Sequence, residues 1–382
     1  MTLLTIIGED ISRIIPLLYA YKDRAKHHIL LCDDDISNYE RAKTLKKGMQ
    51  RFSAKHSLGW YTHIVTTDED SASQIEQVAK RQFKYKGELW LNATDGYPAM
   101  TILLSDHVRK EGGKILSYDH FDNDLHIIEP NGTMKTEELK SKIDLESYLM
   151  LLNYTIVDKQ TIKTLLSHKN DILALYKNEK KFIQARTYIL EKHFKQHYDK
   201  DYTLPEYIKA ILIKLNILNN YGTLIPSQQK TLQGDIFEEY LFWLCEETKP
   251  DDIALGVKID FDDHSQEPNT QKRVYNEFDI LMMNNNRIYT VECKLSKNLE
   301  GLEIVYKYDA IIDYFGKASK AIIANISSKD KEHYLNTKAS SNFKHSTLRR
   351  ARMAGVAVYH EAEIDVTKFQ DLVRDFFGIE ED

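Results

Sequence analysis

Between Thr2 and Lys110 the chain alternates short apolar, β-branched runs with longer stretches of helical spacing, and that alternation restricts its fold more than any other feature. TLLTIIG (2–8), HHILLCDDD (27–35), GWYTHIVTT (59–67) and GELWLNATDG (87–96) read as strands. DISRIIPLLYAYKDR (10–24), SNYERAKTLKKGMQRF (37–52), SASQIEQVAKRQF (71–83) and MTILLSDHVRKEG (100–112) read as helices, with Asp10 or Ser12 as caps for the first. Strand and helix in turn at this density point to a parallel, doubly wound sheet. KILSYDH (114–120) and DLHIIEP (124–130) form a closing hairpin, and the Asn131-Gly132 turn marks a change of pattern. This first domain is placed at 1–135.

Residues 136–227 read as largely helical, from TEELKSKIDLESYLMLLNY to LPEYIKAILIKLNIL, and NNYGTLIPS (219–227) as a linker. A third region, 228–382, returns to α/β: the amphipathic helix TLQGDIFEEYLFWLCEET, the strand IALGVKIDF, a polar loop over 262–273, and then EFDILMMNNNRIYTVECKLSK (277–297), two strands joined by an Asn turn. LEIVYKYDAIIDYFG reads as a helix, KAIIANIS as a strand, LRRARMAG as a basic helix and VAVYH as a strand. A length of 382 residues suits two or three such domains. The net charge of −6 means that any polyanion must be held by local basic patches or by a cation. Cys32, Cys245 and Cys293 show no metal or redox spacing, which fits a reducing cytosol, and no signal peptide or membrane span is read; the expected location is cytoplasmic.

The hairpin carries the chemistry. Residues i and i+2 share a face of a strand, so Glu292 and Lys294 point together, while Cys293 points toward the core. A charged pair on an apolar strand is costly unless compensated, and a bound divalent cation compensates it. Asp279, on the preceding strand, reaches the same point if the hairpin is in register. Two carboxylates suit Mg²⁺ or Mn²⁺, and Lys294 is placed to hold a water or steady charge on a phosphate. Glu238, on the helix ahead of the hairpin, would complete the metal shell or orient Lys294; Glu239 faces elsewhere. By itself E-x-K is common and fits an ordinary exposed hairpin.

The set Glu238, Asp279, Glu292 and Lys294, on that order of elements, resembles the PD-(D/E)xK nuclease superfamily, with Phe278 where a proline often stands. The resemblance implies metal-dependent phosphodiester hydrolysis, with Asp279, Glu292 and Cys293 as the metal positions. In open α/β sheets ligands sit beyond the carboxyl ends of the strands. Those ends here offer Gly8, Glu9 and Asp10; Asp33; Thr66 and Thr67; and the loop Asn92 to Met100, with Thr94, Asp95, Gly96, Tyr97 and Pro98. No G-x-G-x-x-G opens the first helix, which disfavours a dinucleotide. NATDG offers main-chain amides and hydroxyls before a helix, a cradle for phosphate, although such residues also simply form turns.

A doubly wound domain with LNATDGYPAM after its fourth strand resembles a CARF domain. Joined to the PD-(D/E)xK region through GDIFEEYLFWL, it is similar to CRISPR ancillary nucleases of the Card/Can type. The fold implied is a Rossmann-like sensor, a helical middle and a restriction-endonuclease-like α/β domain. The resemblance implies a homodimer that clasps a cyclic oligoadenylate, cyclic tetra-adenylate by expectation, and then cuts single- or double-stranded DNA and/or RNA. Against the family's N-x-T-G-G-x-K-x-M, Asp95 replaces a glycine and Pro98 the lysine; Lys43, Lys46 or Arg109 is expected to supply the missing base. The rival readings are a sensor with a silent nuclease fold and a restriction or repair nuclease that needs no ligand.

Among the remaining features, Lys344, Arg349, Arg350 and Arg352 on the basic helix are expected to reach substrate phosphates, helped by Lys317, Lys320 and Lys338. Tyr97 is the residue expected to stack on adenine. Trp60, Trp90 and Trp243 read as core, and His193 with His197 as a solvated helix face.

Overall fold

The computed structural model describes residues 1–68, 70–82, 88–194, 200–261, 276–295, 305, 314–326, 345–361 and 363–379. Lys338, Lys344, His197 and most of LEIVYKYDAIIDYFG lie outside the described residues.

The first sheet has seven strands in the order β3-β2-β1-β4-β5-β6-β7. They are β1 (Thr2–Ile6), β2 (His27–Asp33), β3 (Tyr61–Thr67), β4 (Leu89–Asn92), β5 (Lys114–Asp119), β6 (Asp124–Ile128) and β7 (Met134–Glu138). The first five run parallel, and β6 and β7 add an antiparallel edge. β1 is buried along its whole length, which explains its unbroken apolar run: a central parallel strand is covered on both faces. Helices α1 (Ile15–Ala20), α2 (Ile36–Lys55), α3 (Ala72–Gln82) and α4 (Pro98–Lys110) connect these strands. Asp35 caps α2 by accepting from Ser37 and Asn38, and Pro98, which needs no donor at a first-turn position, opens α4. The strand order reverses between β1 and β4, so their carboxyl ends form the crevice expected of a doubly wound sheet.

The second sheet has six strands in the order β13-β12-β11-β10-β9-β8. They are β8 (Thr155–Thr161), β9 (Asp252–Asp260), β10 (Asn276–Asn284), β11 (Arg287–Lys294), β12 (Lys320–Ile326) and β13 (Val356–Glu361). The stretch read as helical thus contributes an edge strand, β8, as well as α5 (Leu145–Leu151), α6 (Ile162–Leu165), α7 (Lys169–Tyr176), α8 (Glu179–His193) and α9 (Glu206–Lys214). β10 and β11 form an antiparallel hairpin whose tip, Asn285–Asn286, takes positive φ of 48° and 60°, as a primed two-residue turn requires. β11 then pairs in parallel with β12, so the strand bearing Glu292 and Lys294 is interior.

α10 (Ile236–Glu246) packs on one face of this sheet, with Trp243 fully buried among Ile280, Met282, Val291 and Cys293. The other face shares a core with the first domain and the segment after it: Phe278, Leu281, Met283, Ile288 and Phe315 pack with Tyr118, Leu139 and Tyr148. Each such buried aromatic contributes roughly 2–3 kcal/mol through removal of apolar surface from water. The two sheets therefore meet through a core and not through a loose linker. No described helix is long and apolar enough to cross a membrane.

Candidate functional site

Register builds the nuclease-side site. β10 pairs with β11 up to Ile280 opposite Val291, so one step further Asp279 stands opposite Glu292. Lys294 Nζ lies 2.5 Å from Glu292 Oε1 and 3.9 Å from Asp279 Oδ2. The Cys293 main-chain N–H donates to Asp279 Oδ2 at 2.7 Å. Glu292 is only 3 % exposed, so its charge would be costly without the ammonium beside it. Burial pulls the Lys294 pKa down, but the charge and hydrogen bond of Glu292, followed by Asp279, outweigh it and leave the pKa raised.

A glycine explains how Asp279 comes to face this point. Between the pairs Phe278–Val257 and Ile280–Leu255, Asp279 lies opposite Gly256, whose φ is +61°. Alternation breaks there: Leu255 and Ile280 pack under α10, whereas Val257 and Phe278 pack into the core shared with the first domain. A local kink of this kind re-aims side chains beside functional sites, and a glycine inside an apolar strand was its signal in the sequence. Beside Gly256 a cavity of about 430 Å³ opens, lined by Glu238, Asp235, Lys230, Lys258 and Glu277. The Glu238 carboxyl is pushed up to about 8, first by burial and then by the charges of Asp279 and Asp235. Glu239 turns away, accepting from Trp243 Nε1 at 3.3 Å with His168 at 3.9 Å.

Among the described residues no three His, Cys, Asp or Glu side chains gather closely enough to hold a metal by themselves. The donor set nevertheless fits a hard cation: two carboxylates already converge on one positive charge, that of Lys294. The thiol of Cys293 does not belong to that set. It is buried in the core under α10, and burial, then Asp279 and Glu238, push its pKa well above the ordinary range, so any contribution from Cys293 is through its main chain.

At the crevice of the first sheet the loops after β1 and β4 meet. Asp10 N–H donates to Asp95 Oδ2 at 2.9 Å, and Arg13 lies 3.9 Å from Asp95 Oδ1. Gly8 packs so closely on Asp95 that an added Cβ would stand 3.0 Å from its main-chain oxygen. Thr94 donates to Asn92 Oδ1 at 2.7 Å and accepts from Tyr118 N–H at 3.0 Å. Gly96 presses on Ile6, and Met100 is buried. Asp33 accepts from Asn38 Nδ2 with both oxygens and from the Asp35 N–H at 3.2 Å, and Asn38 Nδ2 also donates to the Tyr97 hydroxyl at 2.6 Å. Thr67 is buried, while Glu9, Thr66 and Pro98 are exposed.

Two of the bases expected to replace the missing lysine have partners of their own. Lys43 pairs with Glu40 at 2.7 Å, and Arg109 leans on the Pro130 carbonyl. The cations at the crevice are Arg13 and Arg41, the latter donating to Asn38 Oδ1. The sequence reading passed over both; the signal was Arg41 standing one helical turn from Asn38, at the start of a helix whose N-terminus faces the crevice. Lys317 Nζ pairs with Glu9 at 2.7 Å, and Lys320 Nζ donates to the Phe376 carbonyl. Arg349, Arg350 and Arg352 are exposed on the helix His345–Met353.

Comparison with known proteins agrees with this geometry. Residues 227–341 match the family model of the Card1-like endonuclease domain. The whole chain is similar in fold to Can2 from Sulfobacillus thermosulfidooxidans, whose structure was solved in complex with cyclic tetra-adenylate; the likeness covers 100% of this chain and 99% of that one at 14% identity, with a TM-score of 0.68. It is similar also to protein VC1899 from Vibrio cholerae, over 99% of this chain and 97% of that one, at 15% identity and a TM-score of 0.71. No curated protein matches. The fold read from the sequence, a Rossmann-like first domain joined to an α/β nuclease-like domain, is thus the fold observed.

Proposed function

We propose that the chain is a metal-dependent nuclease that cleaves DNA and/or RNA phosphodiester bonds when a cyclic oligoadenylate, most simply cyclic tetra-adenylate, occupies its first domain, as part of type III CRISPR antiviral defence. One observation carries the reading: Asp279, Glu292 and Lys294 converge at the open end of the hairpin, with Glu238 beside them. Asp279 and Glu292 would hold Mg²⁺ or Mn²⁺. When bound, such an ion polarises a phosphoryl oxygen and makes its water more acidic. Lys294, anchored by Glu292, places its ammonium where charge grows on the phosphate, and Cys293 N–H fixes Asp279 from the side. Glu238 lines the adjoining cavity.

The activator would lie over the crevice formed by Gly8 to Asp10 and Asn92 to Met100, reached by Arg13 and Arg41. Ile36 and Ile102, exposed at the starts of α2 and α4, flank that crevice as a second copy of the chain would need. A symmetric ring suits a two-fold site, and it activates only to the extent that it binds the active arrangement better than the idle one. The test combines the purified protein with Mn²⁺, a panel of cyclic oligoadenylates, and labelled single- and double-stranded DNA and RNA. Cleavage that requires one ring and is lost in Asp279→Ala and Lys294→Ala supports the reading. Cleavage without any ring favours a stand-alone nuclease, and ring binding with no cleavage favours a silent sensor.

A further inference from the structure

A hydrogen-bonded tether joins the ligand loop to the strand beside the catalytic one. Asp95 Oδ2 accepts the Asp10 N–H at 2.9 Å, and Asp10 Oδ2 in turn accepts the N–H of Lys317 at 2.9 Å, across the domain seam. Asp10 Oδ1 also receives the N–H of Ser12 at 3.1 Å. Both carboxylates are 7 % exposed. The receiving segment is held tightly. Gly316 has φ +103°, and a Cβ there would stand 1.8 Å from Ser12 Oγ. Tyr148 and Tyr154 donate their hydroxyls to the carbonyls of Phe315 and Tyr314, each at 2.9 Å. Directly after this segment β12 begins, and it pairs with β11 through Glu292–Ile323 and Lys294–Asn325.

A second route runs in parallel. Thr94 accepts the Tyr118 N–H, and the Tyr118 hydroxyl donates to Asn123 Oδ1 at 2.9 Å, which also accepts from Asn286 Nδ2 at 3.0 Å at the hairpin tip. That contact is part of the rigid core of the seam. The Asp95 route differs because its middle members are charged and stand in a crevice proposed to take an anion.

We propose that Asp95 is a positioning residue that transmits occupancy of the crevice to the nuclease domain, through Asp10 and the Lys317 main chain. The proposal rests on the reading of the Asn92–Met100 loop as the ligand site. A phosphate arriving there repels the Asp95 carboxylate, so the loop relaxes away from Asp10, and Asp10 in turn loosens its hold on the segment that leads into β12. The tether converts the charge of the ligand into movement of one strand edge.

The test uses the full chain with Asp95→Gly, which removes the acceptor, and Asp95→Asn, which keeps an oxygen acceptor in place; Asp95→Ser, too short to reach Asp10, serves if the glycine variant does not fold. The first readout needs neither ligand nor activity: amide exchange over 314–319. Loss of the acceptor is expected to raise it by about tenfold or more, with Asp95→Asn close to the parent. The second readout is the ratio of cleavage with and without cyclic tetra-adenylate, which is expected to fall about tenfold or more in Asp95→Gly while ring affinity stays equal or tightens, because an acid has left an anion site. A purely structural role would weaken binding and response together. Unchanged exchange, or a ratio lowered only in step with affinity, overturns the proposal. If the parent protein binds no ring at all, the functional reading fails, and the exchange measurement alone still decides whether the tether exists.

Discussion

Two acid-rich places in this molecule are built in opposite ways. At the end of the hairpin, Asp279 and Glu292 face one ammonium, and the Cys293 N–H donates to Asp279. In the crevice of the first domain, the acids are taken up as acceptors within the fold: Asp10 by Ser12 and Lys317, Asp33 by Asn38, Asp95 by Asp10. The contrast separates two uses of a buried carboxylate. A carboxylate facing a mobile charge can be approached by a cation or a reacting group, whereas one bonded within its own loops helps to fix their shape. The same residue types would thus serve the proposed chemistry at one end of the molecule and, at the other, hold the loops of the crevice in place.

Removing charge at the hairpin breaks the contrast most severely. Lys294→Ala is expected to lower cleavage by about 10²–10³-fold, in the range of losing a charge-stabilising group. It also strands Glu292 without its partner, which is expected to destabilise the fold by about 3–5 kcal/mol. Asp279→Asn, which keeps a side-chain oxygen for Cys293 N–H, is expected to lose cleavage as strongly while melting within a few degrees of the parent. Should Asp279→Asn cut normally in initial-rate assays, the hairpin would belong with the structural acids.

Next in size is a pair of glycines. Gly316→Ala puts a methyl group into Ser12 at the seam and also strains a positive φ, so a loss of about 3–4 kcal/mol is expected in denaturant unfolding. Gly256→Ala, at φ +61° with open space around its Cβ position, meets only the backbone penalty of about 1–2 kcal/mol. Its main effect is then expected on cleavage, through the aim of Asp279. Equal destabilisation by the two would argue that the kink at Gly256 is not a local device.

These positions show how far the sequence could be read. The hairpin was legible because period-two spacing and an Asn turn are local signals, and E-x-K falls on one face whatever the rest of the chain does. The Rossmann-like domain was legible from alternation alone. β8 was not, because TIVDKQT is an edge strand with half its residues exposed and lacks a clear apolar period. Lys317 was read as a substrate contact because its charge is visible and its destination is not: the segment before β12 folds back onto Glu9 and Asp10, residues some three hundred positions earlier in the chain. Long-range placement of that kind leaves no trace in local spacing. Gly256 did leave one, an interruption in an apolar strand, but its position opposite Asp279 needs the register.

The two regions are also expected to differ in their response to pH. His28, buried under the first sheet with His27 and Lys26 nearby, has its pKa lowered to about 4, chiefly by burial. The unfolded chain therefore binds the extra proton between about pH 6.5 and 4, and stability falls as pH drops through that window, by up to about 3 kcal/mol. Glu179, at the start of α8, is raised to about 7 by burial, with Glu363 adding to the effect and the Ile364 N–H opposing it. Here the folded chain holds the proton longer, so stability falls as pH rises from about 4.5 to 7, by about 1–2 kcal/mol once partial exposure is allowed for. Glu179→Gln is expected to make the neutral side of the melting profile shallower, leaving the part that Glu238 contributes, and to leave the acid side as it is. A parent profile that is flat on both sides would remove this difference between the regions.

The smallest expected effect concerns how a protein of net charge −6 would hold the proposed polyanionic substrate. Arg349, Arg350 and Arg352 are exposed on one short helix. If those arginines meet substrate phosphates, replacing all three by alanine removes about three released counterions, and the slope of log affinity against log salt becomes shallower by about 2–3. At moderate salt the loss in affinity is about tenfold, and the cleavage rate at saturating strand is unchanged, because none of the three touches the reacting bond. Melting temperature should hardly move, since exposed charges contribute little to stability. Ring affinity should not move at all, because the crevice draws on Arg13 and Arg41. An unaltered salt slope for the strand would mean that substrate is held mainly through a cation at Asp279 and Glu292, making the hairpin responsible for binding as well as for chemistry.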